Sequence, residues 1–158
     1  MTTTAFLLSL SDKPPAERIA ELDGALWGQS VDPVWPGDDH SVILLPWPAR
    51  ALHPNARGHF MARARATKKA RHDAWLATLA AVSKPRRAEL RAAAKLRAHV
   101  RFFPPDNRNR DEDGMVSSVK SQLDGIADAL GVNDGRFRLS HEVEGVTKGG
   151  RVIVEISE

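Results

Sequence analysis

The sequence predicts an α+β fold, a small mixed β-sheet with helices packed on one face. Three observations predict it. Residues 94–103 alternate apolar and charged side chains with the period of a strand. Two longer stretches, 59–83 and 114–130, carry apolar residues at helical spacing. Strands and helices do not follow one another in the regular alternation that a doubly wound α/β protein requires. The 158 residues suffice for one domain with a sizeable core and are tight for two.

The elements follow in order. Residues 1–39 look like an N-terminal extension, punctuated by Pro14, Pro15, Pro33, Pro36 and Gly37. Its one helix-like stretch runs from Ala16 to Leu26. The apolar run Ala5 to Leu10 is too short to span a bilayer and has no basic flank before it, so neither a signal peptide nor a membrane anchor is expected. The main domain, residues 40–158, opens with the apolar run from Ser41, a strand stopped by Pro46 and Pro48. A loop follows, with Pro54, Asn55 and Gly58 as turn formers. In the helix predicted over 59–83, Phe60, Ala64, Trp75, Leu79 and Val82 supply apolar positions. Arg63, Arg65, Lys68, Lys69 and Arg71 crowd its first half. Pro85 is expected to end it, leaving Arg86–Leu90 as a linker or short helix.

In the strand over 94–103, Leu96, Ala98, Val100 and Phe102 face one way, and Lys95, Arg97, His99 and Arg101 the other. One face should be buried and the other cationic. Pro104 to Gly114 reads as a loop. The helix over 114–130 should present Val116, Val119, Leu123, Ile126 and Leu130 to the core and end near Gly131. Strands over 138–145 and 151–156 are joined by a turn through Lys148, Gly149 and Gly150.

Charge is segregated along the chain. Residues 1–39 hold two Lys/Arg against seven acids, residues 40–110 sixteen against three, and residues 111–158 five against ten. A basic block followed by an acidic cluster suits a protein that neutralises phosphates and holds a metal; it also suits a solvated basic helix. There is no cysteine, which excludes a disulfide and a cysteine-built zinc site and suits a reducing compartment.

The acids have a pattern. Asp111 and Asp113 stand two apart in an extended segment, on the same side of the backbone. Two such carboxylates can share a hard divalent cation, and magnesium usually takes only one or two. Asp113 also reads as a helix N-cap. Asp113, Ser117, Lys120 and Asp124 fall on one stripe of the following helix, beside its apolar stripe. Lys120 then points along the wall of the acid pair, or simply pairs with Asp124. Asp134 follows in the next loop, where chain reversal can return it towards Asp111 and Asp113.

In order, the runs PPDNRNRDED from Pro104, KSQLDGIADALGVNDGRF from Lys120 and VTKGGRVIVEI from Val146 resemble the RusA family of Holliday junction resolvases. The LPWP strand, its Asn-bearing loop and the basic helix resemble the start of that family, so the likeness covers roughly residues 41–156. It implies a RusA-like homodimer, cytoplasmic and nucleoid-associated, bacterial or phage-encoded. It also implies a magnesium-dependent endodeoxyribonuclease that resolves four-way junctions by paired symmetric nicks in recombination and repair.

The resemblance assigns Asp111 and Asp113 to the metal pair, Lys120 to the catalytic lysine and Asp134 to the loop aspartate. Asp111, Asp113 and Asp134 would hold Mg2+. The expected DNA contacts are Asn55, Arg57, Arg63, Lys68, Lys69, Arg101, Arg108, Arg110 and Lys148. Three positions depart from the family pattern. Gly114 replaces an Asn after the pair, Asn133 replaces the first of two loop aspartates, and Lys120 comes seven residues after Asp113, about three later than usual. The alternatives are a non-catalytic DNA-binding protein on the same fold, or a metal nuclease acting on forks or flaps.

Overall fold

The computed structural model describes residues 41–158. The extension 1–39, with its helix-like stretch Ala16–Leu26, lies outside the described residues. The rest folds as predicted in class: a four-stranded mixed sheet and four α-helices.

Strand β1 spans Ser41–Pro46. After a 3-10 turn at Arg50–Leu52 comes helix α1, Phe60–Ala81. Val82 turns extended (φ −111°, ψ 122°) and ends α1. Pro85 does not act as the stop; it sits in the first turn of a second helix, α2 (Lys84–Ala92), capped by the Ser83 side chain. A proline is tolerated there because those first N–H groups have no partner within the helix. Strand β2 is Leu96–Phe103.

The single helix expected over 114–130 is two helices, α3 (Glu112–Ser118) and α4 (Lys120–Leu130), broken at Val119. The Ser118 hydroxyl donates to the Met115 carbonyl at 2.6 Å and competes for the helical ladder. Gly131 ends α4 at φ 68°, a left-handed conformation that costs glycine little. Strand β3 covers Phe137–Val143 and β4 Arg151–Ser157.

The strand order is β1-β4-β2-β3. β4 runs antiparallel to β1 and to β2, while β3 is parallel to β2. The last two strands are therefore consecutive in sequence but not neighbours, and the turn through Lys148 is a crossing rather than a hairpin. A parallel pair needs a helical crossover, and α3 and α4 supply it between β2 and β3. The candidate residues sit in that crossover.

The register places Ile43, Leu45, Val152, Val154, Ile156, Ala98, Val100 and Phe102 on one face of the sheet. All four helices pack on this face: Ala74 and Ala81 from α1, Leu90 from α2, Met115 from α3, and Leu123, Ile126 and Leu130 from α4. The buried face of α1 consists of small residues, whereas Phe60 and Trp75 point outward. The cause is the close crossing of α1 and α4. A Cβ on Gly125 would stand 2.1 Å from the Arg71 carbonyl oxygen and 3.1 Å from the Ala74 Cβ. Only small side chains fit that contact. The helices stop short of the outer strand, so Leu139 and Val143 of β3 are 51% and 43% exposed.

Candidate functional site

At the join of α3 and α4, Lys120 sits between two carboxylates. Its Nζ lies 3.2 Å from Asp124 and 3.1 Å from Asp134. The first is the expected pairing one helical turn apart; the second closes the loop after α4 back onto the helix. The hydrogen bond to Asp134, then that to Asp124, raises the Lys120 ammonium above its ordinary value. The same bond from Lys120 lowers the Asp134 carboxyl. Both groups stay charged at neutral pH. They border two adjoining grooves, one of about 290 Å³ shared with Arg71 and Asp128, the other of about 240 Å³ against Ser117, Phe137 and Leu139. Arg71 holds Asp128 with two hydrogen bonds, 2.6 and 2.9 Å.

Asp111 and Asp113 lie at the other end of α3. Asp111, not Asp113, is the N-cap, and its Oδ2 accepts from the Gly114 N–H at 3.0 Å. It lines a cavity of about 470 Å³ with Trp47, Arg50, His53 and Arg110. Asp113 is exposed and lies one turn before Ser117, on the face that leads to Lys120. Seven residues separate Asp113 from Lys120, at most roughly 10 Å of helix axis. Glu112, between the two aspartates, turns towards β3 and meets His141 Nε2 at 3.3 Å.

Gly114 has a local reason. A Cβ there would stand 2.6 Å from His53 Nε2 and 2.9 Å from Asp111 Oδ2. The histidine from the loop before α1 fills the space that a larger residue would take. Its Nδ1 accepts from the Asn55 N–H at 3.2 Å, which leaves Nε2 as the protonated nitrogen of the neutral ring.

The expected DNA contacts divide. Asn55, Arg57, Arg63, Lys68, Arg108 and Lys148 are exposed. Lys69 is exposed too and pairs with Asp73. Lys148 lies at the C-terminal end of β2, because the Glu144 and Thr147 N–H groups donate to Phe102 and Pro104. Arg110 is engaged by the Asp106 carboxylate at 2.6 Å and lies over Trp47. Arg101 is surrounded by Glu142, Glu144 and Glu155 at 3.0, 2.7 and 3.4 Å. Burial alone would lower its pKa, but Glu144 and then Glu155 and Glu142 more than offset this and raise it. The cationic face expected for β2 is thus compensated at Arg101 and His99, while Lys95 and Arg97 are exposed. Arg71, Asp124 and His53 border these cavities without having been singled out as site residues, although Asp124 showed its helical spacing to Lys120.

Among the described residues no group of three or more His, Asp or Glu side chains is close enough to hold a metal. Asp111, Asp113 and Asp134 nevertheless offer exposed oxygen donors, the chemistry a hard cation prefers, and magnesium commonly takes only one or two carboxylates and completes its shell with water and phosphate. Also among the described residues, no helix is long and apolar enough to cross a membrane.

No family model matches the chain. It is 36% identical over 117 residues to an uncharacterized protein of Xylella fastidiosa (strain Temecula1 / ATCC 700964). That alignment covers 73% of this chain and 74% of the relative. At this identity and coverage, the chain belongs to the same family as the Xylella fastidiosa protein.

Proposed function

We propose that this chain is a RusA-type, magnesium-dependent endodeoxyribonuclease that resolves four-way DNA junctions. The observation that carries the reading is Lys120, a charged ammonium held by Asp124 and Asp134 on the wall of an open groove that Ser117 also lines, with exposed Asp113 one turn before Ser117 in α3. A lysine so placed would stabilise the charge that develops on a phosphate oxygen or the leaving oxygen. One or two of Asp111, Asp113 and Asp134 would hold the cation, since the three are not grouped closely enough to share it. The chemistry that a bound magnesium ion supplies is a polarised phosphoryl group and a more acidic water. Arg71, bordering the groove, and the exposed cations of α1 would hold the DNA backbone, so recognition rests on shape and phosphate positions. Two symmetric cuts need two active sites, so the working form would be a two-fold homodimer. In a bacterial or phage setting it would act in the cytoplasm, on the nucleoid.

The test is cleavage of a labelled four-way junction by the purified chain, with and without Mg2+, beside fork, flap and linear duplex. Paired nicks that need the metal and vanish in Asp113→Asn while binding survives are the expected result. Preferential cutting of forks or flaps would move the substrate but keep the chemistry. A second reading has its own observation. Asp111 caps α3 beside His53 while Asp134 is engaged by Lys120, as in a protein that binds DNA without cutting it. Tight junction binding with no cleavage in Mg2+ or Mn2+ would select that reading.

A further inference from the structure

Helix α1 is built in two halves. Its buried residues all lie from Ala74 onward, and the first turns carry none. At the tip Phe60 is 72% exposed, the largest exposure among the described large apolar residues, and Met61 beside it is 43% exposed. His59 caps the helix, and its ring stands 5.0 Å from that of Phe60 at a 31° tilt, which makes a two-ring aromatic platform. Around it stand Arg57, Arg63, Arg65 and Lys68, and no acid occurs in the sequence from His40 to His72.

That charge decides what covers the platform. A second copy meeting it through the same face would bring the same cations and be repelled, while a polyanion is attracted. Aromatic and methionine side chains amid cations are the chemistry that unstacks and stacks on nucleobases. A shallow groove from Phe60 past Arg63 and Lys68 ends at Arg71, which also borders the Lys120–Asp134 groove. Eleven residues separate Phe60 from Arg71, roughly 16 Å along the helix or about five base steps. One strand segment spans both.

We propose that the Phe60–Met61 tip of α1 is an apolar wedge that inserts among the unstacked bases at the branch point of the DNA, while the cations behind it hold the strand leading to the candidate site. The inference rests on the DNA-binding part of the proposed function but not on cleavage.

The test uses the full chain and a four-way junction with 2-aminopurine at its centre, whose fluorescence rises when the base unstacks. The same strand in linear duplex is the control. Protein binding should raise the junction signal several-fold. Phe60→Ala should lose that rise and bind the junction about tenfold more weakly, with duplex binding little changed. Phe60→Trp should keep the rise. Phe60 is exposed, so the alanine variant should fold, and a circular dichroism melt checks it.

A junction signal and affinity unmoved by Phe60→Ala would overturn the wedge. So would a shift from dimer to monomer in that variant, which would make the tip a self-association surface. Cleavage followed in the same samples separates the two ideas. Metal-dependent cutting with no unstacking sinks the wedge alone, unstacking with no cutting sinks the nuclease reading alone, and a chain that binds no DNA sinks both.

Discussion

The acids of the crossover fall into two groups that are built differently. At its start, Asp111 is tied to local structure: it caps α3, and His53 crowds it through the notch at Gly114. At the α3–α4 join, Asp124 and Asp134 cap nothing and instead hold the end of a long lysine side chain. A carboxylate with a structural task costs stability when removed. A carboxylate held chiefly by an exposed cation costs little, since exposed ion pairs contribute about 0–1 kcal/mol. Their placement in an open groove therefore asks for a functional reason more strongly than that of Asp111 does.

The comparison breaks most sharply at Lys120. Lys120→Ala should lower junction cleavage by about a hundredfold or more, the scale of losing one charged donor at a reacting phosphate. Its melting temperature should hardly change. Single-turnover cleavage beside a thermal melt reads both, and a variant that cuts at the wild-type rate would remove the lysine from the chemistry.

A mid-sized effect sharpens the other group. Gly114→Ala pushes a methyl group against the His53 ring and should cost about 1–3 kcal/mol. Removing the ring as well, in His53→Ala with Gly114→Ala, should recover part of that loss. Denaturant melts of the two single variants and the double variant give the coupling directly. Strict additivity would mean that the two residues do not share the notch.

Smaller again is the cap. Asp111→Ala should destabilise by about 1 kcal/mol, whereas Asp111→Asn keeps the cap and should be near neutral. Under the proposed function the asparagine variant, though stable, would still lose cleavage. If both variants keep wild-type activity, Asp111 is a cap and nothing more.

What the sequence revealed was what depends on near neighbours. The alternation from Leu96 to Phe102 marked β2, and Gly131 marked the end of α4, because side-chain period and a left-handed cap are local properties. The Lys120–Asp124 pair was visible for the same reason. The insertion of β4 between β1 and β2 was not, since pairing partners far apart in the chain leave no mark in either strand. The compensation of Arg101 was hidden likewise: Glu144 and Glu155 reach it only through the sheet. Gly114 looked like a departure from a pattern until His53, distant in sequence, was seen beside it. The break at Val119, where the Ser118 hydroxyl bonds the Met115 carbonyl, is too local for periodicity to detect.

The smallest expected effect tests whether the lysine and its acids act as one unit. The hydrogen bond and charge of Lys120 lower the Asp134 carboxyl, so their interaction is present above the ordinary carboxylate range and is lost only as pH falls through the depressed value. On the basic side, Lys120 is raised by Asp134 and Asp124, so its share is present below the ordinary lysine value and is lost as pH rises through the elevated one. Between these limits Lys120 and Asp134 should not titrate. NMR of the Asp134 carboxyl carbon in Lys120→Met should show its midpoint moving up, back towards an unperturbed aspartate. A midpoint that stays put would mean that Lys120 does not hold Asp134 in solution, and the Asp134 side of the groove would then be free to face a cation without displacing the lysine.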